Sequence, residues 1–321
     1  MIPPEGNAMR LNLIPGIVAL GLFTGGLVLG DLPSEIKGHS ALVYSISFSP
    51  DGKTFATAGF DNTVKIWNAV DGKELKTITG HTGPVYCVQF TKDNTAIFSS
   101  SLDTTIKQWN PQDGKMIKEF KGHTGIVDGI AISPDGKTLA SASSDKSVRL
   151  WNISDGKEAK NLGSHANSVY SVAFSPDGKL LASSGADMTI KIWDLASQKE
   201  SKVLKGPTAA ITGIAFKDNN TLISIGQDRM VRLWDIAKGA EAKKFGPTPD
   251  DLYGLALSKD GKKFATSGYA GNVQIWEADS GKSLFSKKLK SFGAYCVSFT
   301  PDEKKLLTGH DSSLILVTPV P

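Results

Sequence analysis

Cysteine and arginine are the scarce residues of this sequence. Two cysteines, Cys87 and Cys296, in 321 residues are too few for a disulfide-stapled scaffold. Neither lies in a CxxC pair or beside a histidine, so a thiolate metal site is not expected either. Arginine occurs only as Arg10, Arg149, Arg229 and Arg232, and the net charge of +4 is carried by lysines, most of them in polar turns such as DGK. Dispersed lysine is ordinary solvation, whereas a nucleic-acid surface shows clustered arginine with aromatics for stacking, so nucleic acid is not the expected partner. The signatures of nucleotide loops, nucleophile elbows, zincin helices and EF-hands are absent as well. Asp-Gly-Lys-Thr at 51–54 and 135–138 ends like a phosphate loop but lacks the upstream glycine, and reads as hairpin chemistry. On these grounds the expectation is a protein that is not an enzyme and takes no metal or cofactor.

What is present is turn chemistry: 33 glycines and 15 prolines, with 40% hydrophobic and 21% charged residues, make a turn-rich globular composition. One stretch stands apart. Residues 11–30, LNLIPGIVALGLFTGGLVLG, carry no charge, follow Arg10, and end in Val28-Leu29-Gly30, which resembles a secretory signal peptide cleaved before Asp31. The alternative is an uncleaved membrane anchor, since about 20 apolar residues span a bilayer, although Pro15, Gly16, Gly21, Gly25 and Gly26 weaken it. Residues 1–30 are thus expected to be a signal peptide or anchor and 31–321 the folded unit. The expected location is export to a periplasm or the extracellular space, with membrane attachment as the alternative. The sequons at Asn152 and Asn219 matter only in a glycosylating secretory pathway.

Tryptophan exposes the organisation. Trp67, Trp109, Trp151, Trp193, Trp234 and Trp276 are separated by 42, 42, 42, 41 and 42 residues, a period of repeat architecture. Each unit runs through a Gly-His turn, a run such as VYSISF, a turn such as SPDGK, a run such as TFATA, a short turn ending in Asp, a run such as TVKIW, and a polar-faced run such as ELKTIT. Short alternating β-branched and aromatic runs between Pro-Asp-Gly and Asp-Gly signals predict four strands per unit and leave little room for helix. The two cysteines fall at equivalent points of two units, where other units carry Ser or Gly, and read as small residues filling a tight buried spot.

This pattern resembles the WD-repeat family of β-propellers, over residues 32 to 318. The signature dipeptide itself stands at Trp193-Asp194 and Trp234-Asp235, with Trp-Asn or Trp-Glu elsewhere. The resemblance implies an all-β, seven-bladed propeller of four-stranded antiparallel blades. The seventh unit, AYCVSFTPDEKKLLTGHDSSLILV, has Val317 or Thr318 where Trp would fall and no fourth strand, so residues 32–37, LPSEIK, are expected to supply it and close the ring.

The resemblance also implies a hydrogen-bonded set in each blade. Its members are His39, Thr57, Asp61 and Trp67 in blade one and His81, Ser99, Asp103 and Trp109 in blade two. Blade three has His123, Ser141, Asp145 and Trp151, and blade four His165, Ser183, Asp187 and Trp193. Blade five has Pro207 for the histidine, and blade six has Pro247 and Ala270 for histidine and aspartate, so blades five to seven are expected to open first. Repetition at one place in every unit argues for structure over catalysis for these residues.

Binding is expected where the repeats disagree. In the family two places per repeat face the wider channel opening. The residue after the first apolar position of the inner strand gives Tyr44, Tyr86, Tyr170, Tyr253 and Tyr295, interrupted by Asp128 and Thr212. The residue before the turn aspartate gives Phe60, Leu102, Tyr269 and His310 among smaller ones. All six tyrosines of the protein fall in these two sets, and such a surface suits a peptide segment, a basic side chain through cation-π contact, or a sugar. The expected function is a monomeric, non-catalytic scaffold binding a protein or peptide on this face. A channel-based enzyme or a binder of a metal or sugar is the alternative, and a membrane is a partner only if residues 11–30 stay attached.

Overall fold

A computed structural model describes residues 32–290 and 293–321; the apolar stretch at 11–30 lies outside them. Seven four-stranded antiparallel sheets form a β-propeller. In blade one the strands are Val43–Phe48, Thr54–Gly59, Val64–Asn68 and Glu74–Ile78, running outward from the channel in chain order. Blades two to six repeat this arrangement, with inner strands Val85–Phe90, Val127–Ile132, Val169–Phe174, Ile211–Phe216 and Leu252–Leu257.

Blade seven contains Ala294–Phe299, Lys305–His310 and Ile315–Pro319, and its outer strand is Glu35–Ile36, with Glu35 opposite Leu316 and Ile36 opposite Ile315. The chain therefore closes its ring with strands from both sides of the sequence. Leu32 and Ile36 are buried in one cluster with Leu307, Ile315, Val317 and residues of blade one, so the seam is packed as an ordinary blade interface. Thr318 is the structural counterpart of the tryptophans: it lies opposite Leu306 as Trp67 lies opposite Phe55.

Inside blades one to four, polar groups meet in a fixed order. The indole Nε1 of Trp151 donates to Ser141 Oγ at 2.8 Å, and that hydroxyl lies 2.7 Å from His123 Nε2. Having accepted from the indole, the hydroxyl donates to the imidazole, which fixes the proton on Nδ1. Nδ1 then donates to Asp145 Oδ2 at 2.7 Å. The same path runs through His39, His81 and His165, whose Nδ1 atoms lie 2.9, 2.7 and 2.9 Å from Asp61, Asp103 and Asp187. Burial alone would raise these aspartates, yet hydrogen bonds from their histidines hold Asp61 and Asp103 well below the usual carboxylate range. Burial also lowers His123 and His165, against the pull of their aspartates.

Where the set is incomplete, other polar groups take its place. In blade five, the Arg232 guanidinium lies 2.7 Å from Asp228 and 3.0 Å from Glu241, while Trp234 still donates to Ser224 at 2.8 Å. In blade six Trp276 donates to Thr266 at 3.0 Å, and Asp250, supplied by the preceding loop, accepts from the Ala270 amide. In blade seven His310, expected at the channel mouth, is completely buried with Nε2 2.8 Å from Thr308 Oγ1. That expectation is corrected for a physical reason. His310 pairs with Ala294 as Gly59 pairs with Val43, so it ends its strand instead of opening the rim turn, and its imidazole meets Thr308 as that of His39 meets Thr57.

Candidate functional site: a tyrosine collar at the channel mouth

Every inner strand carries one residue more than its neighbour allows. The register slips between Val43 and Ser45, between Val85 and Cys87, and at the corresponding place in the other five blades. The extra residue of such a β-bulge leaves the ladder, and its side chain is re-aimed. In this protein the displaced residues are five tyrosines with Asp128 and Thr212, and all seven line one cavity of about 220 Å³. Tyrosine tolerates this half-buried station because its ring packs while its hydroxyl meets polar surroundings.

The collar is uneven. Across blades six, seven, one and two the aromatics are continuous. Tyr44 has ring centroids of Tyr86, Phe60 and Tyr295 at 5.1, 5.4 and 5.9 Å, and Tyr295 passes the contact to Tyr253 at 5.4 Å. Tyr269 joins at 6.4 Å from Tyr253 and is 58% exposed, and Leu102 is 42% exposed on its own turn. Blades three to five contribute the polar arc of Asp128, Tyr170 and Thr212. The Thr212 hydroxyl donates to the Leu252 carbonyl at 2.6 Å, and Gln227 Nε2 donates to the Tyr253 hydroxyl at 3.0 Å.

The electrostatics follow from burial. Asp128 Oδ2 is buried with no hydrogen-bond partner among the described residues, and burial pushes the carboxyl up to about 7. Burial raises the Tyr44, Tyr86 and Tyr170 hydroxyls as well, and the charge of Asp128 adds to it. Cys87 and Cys296 lie beneath the collar as buried free thiols, raised by burial, Cys296 to about 12. The structure thus brings together the expected Tyr44, Phe60, Tyr86, Asp128, Tyr170, Tyr253, Tyr269 and Tyr295, keeps Leu102 on the rim, and removes His310. Gln227, which holds the same repeat position as Phe60 and Leu102, also lines the cavity, while Cys87 and Cys296 were missed as cavity residues; their shared repeat position was the available signal.

Five stretches, 30–68, 72–110, 114–152, 156–194 and 198–235, match the family described as WD domain, G-beta repeat. Among curated proteins the chain is 49% identical over 43 residues to ribosome assembly protein 4 of Chaetomium thermophilum, covering 13% of this chain and 8% of that one. The Saccharomyces cerevisiae protein of the same name is 43% identical over 44 residues, 14% of this chain and 8% of that one. The Notchless protein homolog of Arabidopsis thaliana is 46% identical over 39 residues, 12% and 8% of the two chains. The chain therefore spans about 8% of the length of these relatives.

The expected export is overturned by this company. Two of these relatives are named for ribosome assembly, a process inside the cell, and an exported location does not stand beside them. Among the described residues no helix is long and apolar enough to cross a membrane. Seven blades built on a tryptophan period, with five of them matched directly, establish that the chain belongs to the WD-repeat family.

Proposed function

We propose that this propeller is a non-catalytic scaffold that captures a protein or peptide segment on its tyrosine-lined channel mouth. The observation that carries the reading is the set of seven bulges, which take five tyrosines out of the sheet and gather them at one place. A core tyrosine would be covered, whereas Tyr269 and Leu102 stand open to solvent beside the collar. Aromatic groups grouped around a recess are the usual anchors of protein interfaces. The names of the ribosome assembly relatives also favour a scaffold.

The test is to select peptides from a random displayed library on the full chain and to compare them on the variant Phe60→Ala/Leu102→Ala/Tyr269→Ala. These three residues sit at the rim, so the variant should melt within about 3 °C of the parent. Selected peptides should lose at least about tenfold in affinity on the variant. Equal binding to both proteins would remove the mouth as the partner face.

A further inference from the structure

The collar contains one group that its own surroundings do not satisfy. Asp128 Oδ2 is buried without a hydrogen-bond partner, and among the described residues none lining the cavity is Lys, Arg or His. It shares the cavity with Tyr44, Tyr86 and Tyr170, whose hydroxyls its charge helps to raise. An unmet buried acceptor is costly, and a native chain that keeps one at a recess points to what completes it. An anion would be repelled by the carboxylate. A neutral apolar group would leave Oδ2 unpaired and add its own desolvation of the hydroxyls. A cation gains twice, from the carboxylate and from the negative faces of the aromatic rings.

We propose that the cavity receives one monovalent organic cation, a guanidinium or ammonium group at the tip of a docked segment, seated against Asp128 among the tyrosine rings. This deepens the reading of the mouth as the partner face and rests on it. The cavity, at about 220 Å³, admits a single side-chain head and not a folded element, so the rest of the segment lies across Tyr269 and Leu102 outside.

Asp128 is the one carboxylate among the described residues lining the cavity. The facing Tyr44, Tyr86 and Tyr170 hydroxyls and the Cys87 and Cys296 thiols are all pushed upward by burial and stay uncharged at pH 8. Asp128, raised to about 7, is anionic at pH 8 and largely neutral at pH 5.5. Cation binding therefore strengthens as pH rises through 7.

The experiment is a calorimetric titration of the full chain with n-butylguanidinium, n-butylammonium and uncharged n-pentanol, at pH 8 and pH 5.5, on the parent and on Asp128→Asn. At least one cation should bind the parent at pH 8 and weaken about tenfold or more both at pH 5.5 and in the variant. The stronger of the two heads identifies the basic side chain. Pentanol should bind more weakly than either, and alike in both proteins. The proposal is overturned if no cation binds, if pentanol matches the cations, or if Asp128→Asn and low pH leave cation affinity unchanged. The pH comparison uses the unaltered protein, so it stands whatever the variant does to folding. Peptides lost from the rim variant, with cations indifferent to Asp128, would keep the partner face and discard the cation. The reverse outcome would discard the face and keep a small-cation pocket.

Discussion

Asp128 is a residue whose role shows in what it costs. Its carboxyl is raised from 3.8 to about 7 by burial, so between those values the folded chain holds a proton that the unfolded chain has released. Stability from this group is greatest below about pH 4 and is lost as pH rises through 7. Asp128→Asn should therefore raise the melting temperature by about 3 °C at pH 8 and by nothing measurable at pH 4, read by differential scanning calorimetry on both proteins across that range. A constant difference at all pH values would mean that the carboxylate is relieved in some other way. Ser141 makes the opposite case. Its hydroxyl joins Trp151 to His123, and Ser141→Ala strands two buried groups at once, for a loss of about 2 kcal/mol by urea unfolding. The placement of such residues could be read from spacing because each copy repeats it. What spacing did not show was register: His310 stands in the ladder where Gly59 does, at the buried end of its second strand, one residue short of the rim place held by Phe60.

At the scale of the strand, the third strand of five blades carries a cation that reaches an acid on the fourth. Lys65 meets Glu74, Arg149 meets Glu158, Lys191 meets Glu200 and Arg232 meets Glu241, each nine residues on, and Lys107 meets Glu119. The nine-residue interval was visible in the sequence, but its meaning depends on which hairpin faces pair, and that is decided by the bulge at each tryptophan. Their worth is unequal. Arg232 and Asp228 expose only 5% and 4% of their side chains, so Arg232→Leu should cost about 3 kcal/mol by leaving Asp228 buried without its counter-charge. Lys191 and Glu200 expose 18% and 37% of their side chains, and Lys191→Leu should cost about 0.5 kcal/mol in the same unfolding assay. Blade five is thus held by an ion pair where blades one to four use histidine, and the expected early opening moves to blades six and seven. Hydrogen exchange should find Lys263–Gly268 and Lys305–His310 exchanging before Thr221–Gly226; the reverse order would show that blade five has not been repaired.

The whole molecule was the easiest level to foresee, because a tryptophan every 42 or 41 residues sets the blade, and the six of them with one further unit that lacks it set the count at seven. The closure also followed, since a seventh unit lacking a strand requires one from elsewhere. The collar was visible as positions but not as a mechanism: nothing in the residues VYSISF states that the tyrosine leaves the ladder, because a bulge is a property of two strands and not of one. Ile36→Asp should uncouple the closing strand from the cluster around Leu307 and Ile315. The bared edge of Ile315–Pro319 should then pair between copies, and analytical ultracentrifugation should show larger species for the variant than for the parent.

That seam also decides how the protein answers a pull. Glu35–Ile36 runs antiparallel to Ile315–Pro319, with Glu35 opposite Leu316, so residues 32 and 321 leave the pair at the same end. Tension applied there loads its few bonds one after another, as in a zipper, and never all together as in shear. Seven chain connections join one blade to another, and the ring is shut only by this one short latch, so a partner gripping both ends of the described chain could open it with little force while leaving the other six blades whole.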